Sequence, residues 1–273
     1  AQQMSTTTPH TLIHGADGTE GIEIGGWRIE TFSRGAILKA DELEEWSQKL
    51  NAKNLPEMVF GKNHVSIQHP NSSFKMSFLP YDALSTIIHD PQYIPKVSYA
   101  KEWLSSKQNT LESEKITEVY NYDWSFTPQD YKGVYTKDEG SFATEVTTEK
   151  IDMEKLKRPD PILYFCDTRL YEDELADNGI SLLSLKMRVM PTFFFALLRF
   201  WLRIDGVLYR VVDTRIFHEY DTNYVLREHS WKESSYKYIH QMLPADQNTA
   251  LDTSAIISML KLRGIVTEKL TFQ

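Results

Sequence analysis

The chain has 273 residues, of which 41% are hydrophobic, 25% charged and 12% aromatic, which suits one large or two modest folded domains. A disordered chain and a small stapled fold are thereby excluded. The formal net charge of -8 has the wrong sign for broad phosphate neutralisation, so nucleic acid is not an expected partner. A single cysteine, Cys166, excludes an intrachain disulfide and fits a reducing compartment, cytosol or nucleus.

Residues 1–22, rich in Thr, Gly and polar groups, read as a flexible arm, in which Ala1–Gln3 ahead of Met4 carry no functional argument. The remainder, 23–273, reads as a single domain that opens with a strand at Trp27–Phe32. A helix follows, in which Asp41 as cap and Glu44 three residues on make a capping-box pattern, and Leu43, Trp46 and Leu50 share one face. Alternation at Val65 and Ile67, and again at Phe74, Met76 and Phe78, predicts a hairpin around Pro70–Ser73. Asp82 stands where it caps a short helix bearing Leu84, Ile87 and Ile88, which Pro91 and Pro95 end.

Lys101–Thr117 is charged, with Trp103 and Leu104 as its apolar anchors, and reads as a linker or surface excursion. Tyr122, Trp124 and Phe126 alternate as in a half-buried strand, and a turn at Lys137–Gly140 suggests another strand pair. Ile151–Leu156 begins a short helix that Pro159 and Pro161 stop before an extended Ile162–Phe165 run.

Ser181–Val189 carries the strongest two-residue period in the chain. Phe193–Trp201 is apolar at nearly every position, so periodicity leaves strand and core helix open; the hairpin signal Asp205-Gly206 favours strand. The most apolar run, Phe193–Leu202, is interrupted by Arg199 and too short for a membrane helix, and the polar N-terminal residues have no signal-peptide core. Neither membrane insertion nor secretion is expected. Val207–Val212, Ile216–Tyr220 and Tyr224–Glu228 continue as separate strands of a meander. Ser254–Leu262, after a capping Thr253, reads as a helix and Val266–Phe272 as a closing strand. Hairpins outnumber strand-helix-strand units, which points to an α+β fold, predominantly antiparallel β, with packed sheet layers and peripheral helices.

Catalytic signatures are absent from this sequence. Glu172 and Glu174 are carboxylates of the kind a carboxylate-dependent hydrolase uses. Sequence neighbours point different ways, however, and acid and base must flank a substrate, so a solvated acidic face is the default. The eight histidines show no HExxH or paired-ligand spacing, and no GxxxxGK[ST], GxGxxG or GxSxG occurs, so neither metal nor cofactor is expected. Cys166, between Phe165 and Asp167 on an apolar strand, reads as a packing residue. Leu198–Arg203 interleaves arginine with aromatic rings as single-strand nucleic-acid platforms do. The acidic total favours a core strand whose Arg199 and Arg203 meet carboxylates.

Several segments, taken in order, resemble the TIP41 family: Leu55–Gly61 (LPEMVFG), Tyr171–Leu175 (YEDEL), Val189-Met190-Pro191, Leu198–Leu208 (LRFWLRIDGVL) and Asp213-Thr214-Arg215. The resemblance runs from about Trp27 to Phe272. It implies a compact antiparallel-sheet assembly without catalysis of its own, a cytoplasmic and nuclear regulator in target-of-rapamycin (TOR) signalling. Implied partners are the catalytic subunits of type 2A, 4 and 6 protein phosphatases and, in fungi, a Tap42/alpha4-type protein. A groove is implied to receive the acidic, aromatic C-terminal tail of the phosphatase, where Arg188, Arg199, Arg203 or Arg215 could meet it. The family's phosphatase-binding positions fall on Asp82, Ile151, Val211 and Asp213, with Val211 standing where some members carry methionine. Asp82 as a helix cap, and Asp213 as a partner of Arg215 or Arg210, have structural roles equally open to them.

Overall fold

Two antiparallel sheets face each other in the computed structural model of the chain, which describes residues 8–87, 124–128, 130–136, 142–243 and 252–272. The first sheet is built from β1 (His10–His14), β2 (Glu20–Ile24), β3 (Trp27–Phe32), β5 (His64–His69), β6 (Phe74–Phe78) and β7 (Val134–Thr136), in that order. The second contains β4 (Met58–Val59), β8 (Phe142–Val146), β9 (Tyr164–Asp173), β10 (Gly179–Val189), β11 (Phe193–Ile204), β12 (Leu208–Glu219), β13 (Tyr224–Ser235) and β14 (Leu262–Phe272). Its order is β4-β9-β10-β11-β12-β13-β14-β8, a meander from β9 to β14 closed at each edge by a short strand. This is the α+β, mainly antiparallel architecture that the hairpin signals predict.

Strand periodicity explains the layering. One face of β10 and β11 presents Leu183, Leu185, Met187, Phe194, Ala196, Leu198, Phe200 and Leu202, all buried, against Ile22, Ile29, Val65, Ile67, Phe74 and Met76 of the first sheet. Trp27 crosses between the layers. Its indole lies 4.7 to 5.6 Å, centroid to centroid, from His69 and Phe74 on its own sheet and from Phe194, His218 and Phe272 on the other. Truncating a ring so fully buried would cost about 3–5 kcal/mol.

Five α-helices among the described residues decorate the sheets: α1 (Ala40–Leu50), α2 (Pro80–Ser85), α3 (Met153–Lys157), α4 (Tyr236–Gln241) and α5 (Thr253–Met259). Helix α1 begins one residue before the expected cap Asp41: the carboxylate of Glu42 accepts from the Lys39 backbone N–H at 2.7 Å, and Asp41 joins the first turn. Helix α2 starts at Pro80, whose missing N–H costs nothing there, so Asp82 is a first-turn residue rather than the cap. At α5 the cap is Asp252, which accepts from Ser254 N at 3.2 Å, and Thr253 is the first helical residue.

Other expectations are corrected. Within the expected arm, β1 and β2 pair in the first sheet from His10 to Ile24; β1 reads as loose because it is an edge strand with most side chains exposed. Trp124–Phe126 is a turn, not a strand. Phe126 has φ of 58°, and its carbonyl and that of Ser125 accept from the Tyr171 hydroxyl at 2.6 Å and the Ser181 hydroxyl at 2.7 Å. The strands flanking the expected Lys137–Gly140 turn, β7 and β8, join different sheets rather than pairing. The separate strands expected at Val207–Val212 and Ile216–Tyr220 are one continuous β12. Ile88, Pro91, Pro95, Lys101–Thr117, Tyr122 and Lys137–Gly140 lie outside the described residues.

Candidate functional site

The outward face of the eight-stranded sheet is covered at both ends and open between them. At one end α4 and α5 lay Ile239, Ile256, Ile257 and Leu260 over Trp201, Tyr209 and Val211. At the other, Ile151 and the α3 residue Leu156 pack with Met190, Phe193, Phe217 and Leu226. Along the outer side of β12, Tyr209 and Val211 belong to the first cover and Phe217 to the second. Asp213 and Arg215 stand in the strip between.

Strand register continues this strip across the sheet in two rows. One runs Asp167, Lys186, Leu197, Arg215, Glu228; the other runs Arg169, Ser184, Arg199, Asp213, Ser230, Ile265. A charged network occupies the centre. Arg199 donates through Nε and Nη2 to the two carboxylate oxygens of Asp213 at 2.8 and 2.9 Å, and Arg215 bridges Asp213 at 3.2 Å to Glu228 at 3.1 Å. Two guanidinium groups thus meet two carboxylates, so the network is internally neutral and stiff. Lys186 is more available, 3.9 Å from Asp167 with a side chain 56% exposed, and the Arg188 guanidinium donates to the Leu156 carbonyl at 3.4 Å. Large apolar side chains stand exposed at the lateral margins, Ile265 at the β14 end of the second row and Phe165 on β9, opposite Arg188 in the row bordering the first. A neutral polar centre flanked by solvent-facing apolar groups suits a protein partner rather than a small charged metabolite.

Three of the four residues singled out from sequence share this face. Asp213 is in the strip, Val211 is buried beneath the α4–α5 cover, and Ile151 is a buried part of the other cover. Asp82 is elsewhere, half-buried on α2 beyond β6 of the other sheet, where burial raises its carboxyl pKa above the usual range. Asp213 takes Arg199 and Arg215, not Arg210, which pairs with Glu233 at 2.7 Å. Arg203 pairs with Asp205 at 3.0 Å. Sequence reasoning missed Lys186, Phe165, Glu228 and Ile265; their signal was the two-residue period that sets them opposite the core-facing residues of their own strands.

The acidic segment is arranged otherwise. Glu172 pairs with Arg169 at 2.5 Å, and Glu174 is exposed. Asp173 is buried and structural, accepting from the backbone N–H of Glu57 at 2.9 Å and of Leu175 at 2.6 Å. Its charge, with Glu174 and Asp177, raises the Glu57 carboxyl pKa. Among the described residues no group of three or more His, Cys, Asp or Glu side chains is placed to hold a metal ion, and no helix is long and apolar enough to cross a membrane. Cys166 is buried, and burial pushes its thiol pKa up, away from nucleophile chemistry.

Fold and face together define an antiparallel two-sheet sandwich with one sheet surface partly uncovered. The model of the TIP41-like family matches residues 58–240. A TIP41-like protein of Dictyostelium discoideum is 42% identical over 98% of this chain and 97% of its own length. The type 2A phosphatase activator TIP41 of Saccharomyces cerevisiae is 37% identical over 79% of this chain and 63% of its own. The type 2A phosphatase activator tip41 of Schizosaccharomyces pombe is 31% identical over 85% and 90% respectively. The chain belongs to the TIP41-like family.

Proposed function

We propose that the protein is a non-catalytic regulator that binds the catalytic subunits of type 2A-family phosphatases, types 2A, 4 and 6, within TOR signalling in the cytoplasm and nucleus. The observation that carries this reading is the likeness, spanning most of the chain, to two relatives named as type 2A phosphatase activators. The open strip supplies the docking surface. Its rigid Arg199–Asp213–Arg215–Glu228 centre sets shape and charge pattern, and its exposed Phe165, Lys186 and Ile265 supply contact area. In this reading Ile151, Val211 and Asp213 act by shaping the strip, because side chains so buried present little surface to a partner. A Tap42/alpha4-type protein is a further partner, engaged alongside the phosphatase.

Co-purification tests it. Immobilised protein should retain purified type 2A, 4 or 6 catalytic subunit at micromolar concentration and alter its turnover of a phosphopeptide; retention of none of the three would overturn the reading.

A further inference from the structure

The inward face of β12 and β13 carries a second site, opposite the strip and independent of the phosphatase reading. On that face Val212, His229 and Trp231 line a cavity of about 350 Å³ together with Thr127, Arg210 and Glu233. That volume falls within the usual range for small-ligand sites.

Three features of the lining specify a ligand. Trp231 lies opposite Gly264 in the β13–β14 register, where a Cβ would stand 2.1 Å from the indole Cζ2. Only glycine lets the indole rest there, and Trp231 remains 38% exposed. It is a flat stacking platform. His229 is 94% buried; its Nδ1 lies 2.8 Å from the Thr214 hydroxyl, and its Nε2 has no hydrogen-bond partner among the described residues. A buried polar atom of this kind calls for a complementary group. Charge is cancelled around the cavity: Arg210 donates to Glu233 at 2.7 Å and to the Thr127 hydroxyl at 2.8 Å, while Lys232 is offset by Asp130 in the same lining. Burial also lowers the His229 pKa to about 4, so the imidazole is neutral at pH 7.

We infer that this cavity binds an uncharged aromatic ring bearing a hydroxyl, the chemistry of a phenol, stacked on Trp231 with its O–H hydrogen-bonded to His229. A hydroxyl both donates and accepts, so it satisfies either tautomer of the ring. Free phenols and tyrosine side chains share this chemistry.

The test uses the full-length protein and two-dimensional NMR, following the Trp231 indole N–H, assigned by its loss in Trp231→Phe. Probes are p-cresol, N-acetyl-tyrosinamide, 4-methylanisole and benzoate. Saturable shifts are expected with p-cresol at about millimolar concentration, with 4-methylanisole and benzoate at least about fivefold weaker. Binding should weaken about fivefold in His229→Leu and in Gly264→Ala, which lifts the indole. N-acetyl-tyrosinamide binding as well as p-cresol identifies a peptide-borne ring; weaker binding identifies a free phenol. Failure of p-cresol to saturate, benzoate or 4-methylanisole binding as tightly, or unchanged binding in Gly264→Ala would overturn the inference. If His229→Leu does not fold, the probe series and Gly264→Ala decide the matter on folded protein.

Discussion

Arg199 grips Asp213 across the β11–β12 pair with two hydrogen bonds of 2.8 and 2.9 Å, at an aspartate only 3% exposed. Removing the charge leaves Arg199 and Arg215 facing each other with no anion between them. Asp213→Asn is therefore expected to lose about 3 kcal/mol of stability, read by urea denaturation, with phosphatase retention falling in parallel. A variant that melts like the wild type but no longer binds would instead make Asp213 an interface residue.

Val211 is 1% exposed under α4 and α5, in contact with a closed cluster that includes Ile239 and Ile256. The longer side chain of Val211→Met overfills this site and is expected to cost about 1–3 kcal/mol. Equilibrium unfolding of the two proteins checks it; a more stable methionine variant would show unfilled space beneath the helices.

Register explains why the strand pattern was legible and the Arg199–Asp213 pair was not. Alternation at Leu183–Val189 and the Asp205-Gly206 signal locate β10, β11 and their turn. A two-residue Asp205-Gly206 turn, however, sets Ile204 opposite Val207 and Arg199 opposite Val212. The loop has three residues, Val207 N donating to Ile204 O at 2.9 Å with Gly206 at φ 74°, so Ile204 faces Leu208 and Arg199 faces Asp213. That one-residue difference moves every polar pairing on the strip. Trp124–Phe126 misled for another reason: its alternation reflects burial of a turn held by long-range hydrogen bonds from Tyr171 and Ser181, which local periodicity does not encode.

Acid should weaken the fold through two buried histidines. His218, 1% exposed among Trp27, Phe194 and Phe272, and His229, 6% exposed, both have pKa values lowered by burial from 6.5 to about 4. Between those values the unfolded chain binds more protons than the native one. Stability is thus fully present above about pH 6.5 and falls toward pH 4, by roughly 3 kcal/mol per histidine at most. Urea midpoints at pH 7.5, 6 and 5 should show this decline, and His218→Phe should flatten it; a midpoint independent of pH would contradict the burial argument.

Tyr171 is fully buried and donates to the Phe126 carbonyl at 2.6 Å, anchoring the turn that borders the Trp231 cavity. Tyr171→Phe leaves that carbonyl without its donor and is expected to cost about 1–3 kcal/mol. Faster amide hydrogen exchange confined to residues 124–128 would accompany the loss; exchange unchanged there would show that other contacts hold the turn.

Docking of a phosphatase on the open strip is testable at its exposed side chains. Phe165 is 51% exposed and the Lys186 side chain 56% exposed, so Phe165→Asp with Lys186→Glu alters the surface without disturbing the core. The direct measurement is the equilibrium affinity of a type 2A catalytic subunit for wild type, this double variant and Gly264→Ala on the opposite face, each with its melting temperature. Affinity is predicted to fall at least about tenfold in the double variant at unchanged melting temperature, and to stay at the wild-type value in Gly264→Ala. Full affinity in the double variant would place the docking surface elsewhere on the molecule.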